Sequence, residues 1–174
     1  EQLAEMMIDL QRRGCHNINL VTPTHFIPSF VYALVIAAGN GLSIPIVYNS
    51  SGYERVEIIK LLEGIVDIYL PDAKYADDSI AFDLSGFRNY VEHNRSALIE
   101  MYRQTGILKT VRGIATKGII IRHLILPCDL SGTDDVLDFC SNQLSTAVHI
   151  SLMNQYFPAY QAIQHETLHR RITE

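Results

Sequence analysis

An α/β fold built on a parallel sheet is what this chain predicts, from three observations. Apolar runs rich in β-branched residues recur at 18–21, 44–48, 65–70, 119–126 and 148–153. They are continuous rather than alternating, which suits strands covered by helices. Between them lie stretches of helical periodicity whose joints carry Gly14, Gly39, Gly41, Gly64, Gly106 and Gly118, where a helix cap or a tight connection belongs. Polar residues gather just after the expected strands: Thr22, Thr24, His25, Asn49, Ser50, Ser51, Asp72, Lys74, Asp129, Asn154 and Gln155. That end of a parallel sheet is its ligand face. A doubly wound sheet and a partial (β/α) barrel both fit this rhythm.

The chain has 174 residues, 48% hydrophobic and 19% charged, which predicts one folded domain over 1–174 rather than a disordered chain. A net charge of -5 disfavours a general nucleic-acid binder, which needs a basic face. The apolar run 30–38 is too short to span a bilayer, and without a signal peptide the cytoplasm is expected. The three cysteines, Cys15, Cys128 and Cys140, match neither a disulfide framework nor a zinc ribbon, and each reads as a small buried side chain.

Taken in order, Leu3, Met6, Met7 and Leu10 mark one apolar face of a first helix. The chain opens inside that helix, so an upstream element is expected. After strand 18–21 and the loop of Thr22, Pro23, Thr24 and His25 comes an apolar helix over 27–40. Strand 44–48, loop 49–52, helix 53–63 and strand 65–70 follow. Pro71 is expected to close that strand, since proline cannot donate to a ladder. Helices are predicted at 77–84 and 90–104, a small hairpin or mobile flap at 107–117, and a long strand at 119–126. Ser131 and Asp134 suggest a capping box for a helix to Asn142. Strand 148–153 and a short last helix ending at Arg171 complete the chain.

The charged tip after strand 65–70 is the first site candidate. Asp72 and Lys74 are two apart, so their side chains start on the same side of an extended chain; the bland alternative is a surface ion pair. Arg122 interrupts an apolar strand, so either it or His123 faces the busier side of the sheet. A buried Arg needs an anionic partner: Asp72, or the carboxylate or phosphate of a ligand. The bland alternative is an edge position that reaches water.

His165-Glu166-Thr167-Leu168-His169 matches H-E-x-x-H, which on a helix could hold zinc with Glu166 as general base. A zinc hydrolase using His165, Glu166 and His169 is therefore an alternative reading. Short motifs recur by chance, and little chain follows to supply a third ligand, so a solvated helix end without metal is expected.

The segments 17–25, 46–53, 72–74, 121–127 and 152–156 together resemble radical S-adenosylmethionine enzymes, in particular relatives of pyruvate formate-lyase activating enzyme. The resemblance is collinear and covers nearly the whole chain. It implies a partial (β/α) TIM-like barrel with parallel strands, here missing the first strand. It implies that the intact protein cleaves S-adenosylmethionine reductively at a 4Fe-4S cluster, giving a deoxyadenosyl radical that abstracts hydrogen from a substrate, such as a glycine in a partner protein. An electron donor is implied as well. The family's cluster cysteines, C-x-x-x-C-x-x-C, have no match here, so no cluster is expected in this chain, which by itself would be inactive. Asp72 and Lys74 match the family's Asp-x-Lys and Arg122 its strand arginine near the cofactor carboxylate, while Asn49 stands at an acidic position. Where the family has Gly-Gly-Glu for the methionine ammonium, this chain has Thr22, Pro23, Thr24 and His25, with no carboxylate. Thr22, Thr24, His25, Asn49, Ser51, Asp72, Lys74, Arg122 and Asn154 are thus the expected cofactor-binding residues. A barrel lacking its first strand would leave 18–21 as an open edge, through which the chain is expected to dimerise. A binding barrel without chemistry is the non-enzyme alternative.

Overall fold

The computed structural model describes residues 1–172. Helix α1 (Gln2–Arg12) leads into β1 (Ile18–Val21), α2 (Ile27–Gly39), β2 (Ile46–Ser50), α3 (Val56–Lys60) and β3 (Ile68–Pro71). Then come α4 (Asp78–Ser85), α5 (Tyr90–Thr105), β4 (Lys109–Val111), β5 (Ile114–Leu124), α6 (Thr133–Phe139) and β6 (His149–Met153). The fold is α/β with a mostly parallel sheet, as the continuous apolar runs predict. The five parallel strands stand in chain order, β1-β2-β3-β5-β6, and β4 turns back antiparallel on the start of β5. The sheet is open, with β1 at one end and β6 at the other, unpaired to each other. A doubly wound sheet reverses its strand order at a switch point; this order has no reversal.

The two faces of the sheet differ sharply. On the helix side Tyr48, Tyr69, Ile119, Ile121 and His123 are fully buried. All of these but His123 belong to one core with Phe30, Ala33 and Ala37 of α2, Ile59 of α3, and Ala97, Leu98 and Met101 of α5. The α5 residues recur at helical spacing because one stripe of that helix faces the sheet. Each fully buried Leu or Ile contributes about 1.5–3 kcal/mol by leaving water. The core tyrosines keep their hydroxyls bonded: Tyr69 donates to Gln104 Oε1 at 2.7 Å. The opposite face buries Val47 and Ile68 near its base, while Val21, Asn49, Leu70, Ile120, Arg122 and Ser151 are exposed or half-buried. Among the described residues no helix is long and apolar enough to cross a membrane.

Several boundaries differ from the sequence reading, each for a physical reason. On α1, Met7 is buried but Met6 is 62% exposed; Ala4 and Met7 define the packed face. Strand β2 begins after Pro45, which has no N–H for the ladder, and runs on to Ser50. Ile65 and Val66 close a turn on Leu62 instead of starting β3. Pro71 does not end the extended chain, because Asp72 continues it as a bridge to Arg122. Helix α3 is shorter than 53–63. The 131–134 capping box does not form: Gly132 occupies the N-cap, and the first helical N–H, that of Thr133, is taken by Asp129 Oδ1. A π-turn, Cys140–Leu144, continues α6. The last segment is a 3-10 turn, Tyr160–Ile163, followed by further turns instead of an α-helix. Cys140 is buried and Cys15 half-buried, but Cys128 is exposed. The hairpin expected at 107–117 is present as β4 and the start of β5.

Gly118 marks the point where β5 leaves this hairpin and joins β3. Its φ is +122°, and a Cβ there would stand 2.5 Å from Ile107 O and from Leu108 Cα, both backbone. Gly118→Ala is expected to lower stability by roughly 1–3 kcal/mol, from overpacking against atoms that cannot turn aside. The urea midpoint of the variant checks this.

Candidate functional site

The site is built where β3 and β5 end. Asp72 pairs in parallel with Arg122 across the sheet, so the alternation of both strands sends their side chains to the open face. Lys74 is two residues beyond Asp72 and returns to the same side. Lys74 Nζ lies 2.8 Å from Asp72 Oδ2, and Arg122 Nη2 lies 2.6 Å from Asp72 Oδ1. The Asp72 side chain is 13% exposed, those of Lys74 and Arg122 36% and 31%. Two cations around one carboxylate leave one net positive charge at a surface open to a ligand. The Arg122–Asp72 contact is close enough for an ion pair but not aligned as a hydrogen bond. Asp72 Oδ1 and Arg122 Nε are buried and have no hydrogen-bond partner among the described residues. Such groups are costly to leave unmet, and Nε is a donor that a ligand anion would satisfy.

The backbone beneath these side chains is held from several directions. Asp72 N donates to Ser50 O at 3.0 Å and Ala73 N to Arg122 O at 2.8 Å. Lys74 N donates to the Tyr90 hydroxyl at 2.7 Å. Asn94 Nδ2, buried in the middle of α5, donates to Asp72 O at 2.9 Å and to Gly52 O at 3.1 Å. On the helix side His123 Nδ1 lies 2.6 Å from Ala73 O. A carbonyl only accepts, so Nδ1 carries the proton. Tyr90 belongs to an aromatic cluster: Phe87 stacks on Tyr53 at 4.6 Å between centroids, and Tyr75 meets Tyr90 edge-on at 5.4 Å. A site held this tightly by side chains outside it meets the requirement for preorganised charge.

The other expected residues are less concentrated. Asn49 lies on the open face, half-buried, with its carbonyl accepting from Thr22 N at 2.8 Å. Thr22 is exposed and left-handed, with φ 50°. His25 lies tilted against its neighbour Phe26, 4.2 Å between ring centroids. Ser51 is half-buried after β2 and Asn154 exposed after β6. Thr24 is not free to take an ammonium: it donates to Glu54 Oε1 at 2.7 Å, so it must accept from the Tyr48 hydroxyl at 2.9 Å. The same bond corrects the expectation that no carboxylate stands near Thr22–His25, because Glu54 reaches Thr24 from the next loop. Burial raises the Glu54 pKa, only partly opposed by the Thr24 hydrogen bond and the nearby hydroxyls of Ser50 and Tyr48.

Glu54, Tyr90, Asn94 and His123 escaped sequence reasoning as site residues. Asn94 had a signal, a polar residue on the buried stripe of an amphipathic helix. His123 had another, the parity that put either it or Arg122 on the packed side. Glu54 had none beyond its place in a strand-end loop.

The H-E-x-x-H segment does not take up the geometry of a zinc helix. His165 lies among turns, and its Nδ1 accepts from Thr167 N at 3.1 Å and Leu168 N at 3.2 Å. His169 Nδ1 donates to His165 O at 3.1 Å. Among the described residues no three His, Cys, Asp or Glu side chains are grouped to hold a metal ion. Cys15, Cys128 and Cys140 stand on separate elements and do not fit a 4Fe-4S cluster.

No family model matches this chain, and no solved structure matches it. The chain is 34% identical over 170 residues to an uncharacterized protein of Methanocaldococcus jannaschii, a match covering 96% of this chain and 45% of that protein. The chain thus spans less than half the length of that curated relative.

Two outcomes test the framework of the site. Gly52 has φ +71°, and a Cβ there would stand 2.1 Å from Asp72 O and 2.5 Å from Asn94 Nδ2. Gly52→Ala is expected to destabilise by about 1–3 kcal/mol or more and to break the Asn94 bridge, measured by chemical denaturation and by the Asn94 side-chain amide resonances. The second concerns pH. A raised folded pKa means that the folded state binds the Glu54 proton more tightly than the unfolded chain. This favourable contribution is full below the ordinary Glu value and is lost as pH rises through the raised one. Glu54→Gln should therefore lose less stability than the parent between about pH 4 and pH 8, as read from urea midpoints at the two pH values.

Proposed function

We propose that this chain is the core of a radical S-adenosylmethionine enzyme resembling pyruvate formate-lyase activating enzyme, with the cofactor's methionine carboxylate at Lys74 and Arg122. The observation that carries the reading is the convergence of Asp72, Lys74 and Arg122 on the open face with one net positive charge and an unmet Arg122 Nε donor. A carboxylate arriving there would gain charge-assisted hydrogen bonds, roughly 1.5–3 kcal/mol each. The unreversed order of the parallel strands suits a partial (β/α) barrel, whose ligand face is this end.

In this reading Lys74 and Arg122 hold the carboxylate and Asp72 orients both cations. Asn49 contacts the carboxylate or the ribose from the neighbouring strand, with Thr22, His25, Ser51 and Asn154 at the same mouth. Thr24 acts only indirectly, by tying its loop to Glu54. When bound, the cofactor supplies the radical chemistry; the chain's own residues supply charge, orientation and exclusion of water. No step through a 4Fe-4S cluster is assigned to these residues, since their cysteines do not fit one. The cluster, an electron donor and a protein glycine as substrate are proposed for the whole protein.

Lys74→Ala is the test. In the intact, cluster-bearing protein it should weaken S-adenosylmethionine binding by roughly ten- to a hundredfold. The thermal midpoint should change little, since a partly exposed ion pair adds only about 0–1 kcal/mol. Unchanged affinity with a large loss of stability would make the trio a structural ion network.

A further inference from the structure

We infer that His123 is a positioning residue of this site, which sets the Asp72-Ala73-Lys74 backbone from the packed side of the sheet and links it to the loop after β5; this rests on the reading of Asp72, Lys74 and Arg122 as a ligand site. His123 is fully buried, and both its ring nitrogens are engaged. Nδ1–H donates to Ala73 O at 2.6 Å, so the neutral ring accepts at Nε2 from the Thr133 hydroxyl at 3.0 Å. The Thr133 hydrogen being committed to His123, its oxygen takes the Ser131 hydroxyl at 3.3 Å. Ser131 Oγ in turn accepts from Leu126 N at 3.2 Å. Every donor in this relay has one available direction, running from the backbone after β5 to the carbonyl between Asp72 and Lys74.

The loop is also pressed onto the segment it controls. Ala76 N donates to Ser131 O at 3.1 Å, and a Cβ on Gly132 would stand 2.7 Å from Ala76 Cβ. Thr133 N donates to Asp129 Oδ1 at 3.0 Å. Two consecutive residues of β5 thus serve one site from opposite faces. Arg122 faces the ligand side and gives its carbonyl to Ala73 N, while His123 takes the Ala73 carbonyl from behind. The Ala73–Lys74 peptide is thus gripped at both ends, its N–H by the Tyr90 hydroxyl and its carbonyl by His123, and the direction in which Lys74 leaves the chain depends on both bonds.

The experiment separates the two ring nitrogens. In His123→Asn, the amide nitrogen falls where Nδ1 stands, keeping the bond to Ala73 O and losing the one to Thr133. In His123→Gln, the side-chain end falls where Nε2 stands, keeping Thr133 and losing Ala73 O. Folding is checked by circular dichroism, and S-adenosylmethionine binding is measured by calorimetry on the intact, cluster-bearing parent and on both variants made in it. His123→Asn should bind within about threefold of the parent, and His123→Gln roughly tenfold more weakly. The Arg122 Nε–H resonance of the unliganded chains gives a readout independent of the ligand: it should stay in place in His123→Asn and shift in His123→Gln. If the parent does not bind S-adenosylmethionine, the functional reading fails and this resonance alone decides the inference. Equal behaviour of the two variants in affinity and resonance, the reverse order, or failure of both to fold would overturn it, leaving His123 as packing for the core.

Discussion

The site depends on how the three peptide groups of Asp72, Ala73 and Lys74 are satisfied where the sheet ends. Past the last regular ladder of β3, these groups would ordinarily turn to water. Here they meet Ser50 O, Arg122 O, the Tyr90 hydroxyl, Asn94 and His123 instead. The bonds from Asn94 and to His123 are buried and that to Tyr90 is partly so, and a buried polar group left unmet costs about 1–3 kcal/mol. The network therefore holds as a unit: removing one partner strands another group in a low-dielectric interior. That is why Gly52 has no room for a side chain and why Asn94 lies on the packed stripe of α5.

The rigidity has an electrostatic consequence. Flexible Lys and Arg side chains at a surface lose conformational entropy when they pair, and such pairs add little. When the carboxylate between them is fixed by its own backbone, less freedom is lost on pairing. The cations also remain only partly satisfied, as the unpartnered Arg122 Nε shows. A fixed, incompletely neutralised charge is what an anion-binding site needs, and it arises at the strand ends where parallel α/β proteins bind ligands.

The strand ladder and the helix periodicities were legible in the chain because they are local: β-branched runs, a stripe at helical spacing, a glycine at each joint. Even the juxtaposition of Asp72 and Lys74 was legible, since a spacing of two in an extended chain has one geometric outcome. Boundaries moved where a local signal competed with a tertiary one. Ser131 and Asp134 had the spacing of a capping box, yet the Ser131 hydroxyl is taken by Leu126 N and Thr133. Tyr53 and Glu54 had helical neighbours, yet stay outside the helix, where Tyr53 stacks on Phe87 and Glu54 takes the Thr24 hydroxyl.

By itself, then, the sequence determined the class of fold, the five parallel strands, and the three charged residues at the ends of β3 and β5. Those follow from periodicity and parity, which need only the chain's own geometry. The tertiary structure alone decided which of Arg122 and His123 faces outward, that Glu54 lies beside Thr24, and that Asn94 and Tyr90 anchor the Asp72–Lys74 backbone. These are contacts between residues 16 to 50 positions apart. No local propensity records them, because a side chain's hydrogen-bond partner is settled by which elements pack together and how deeply.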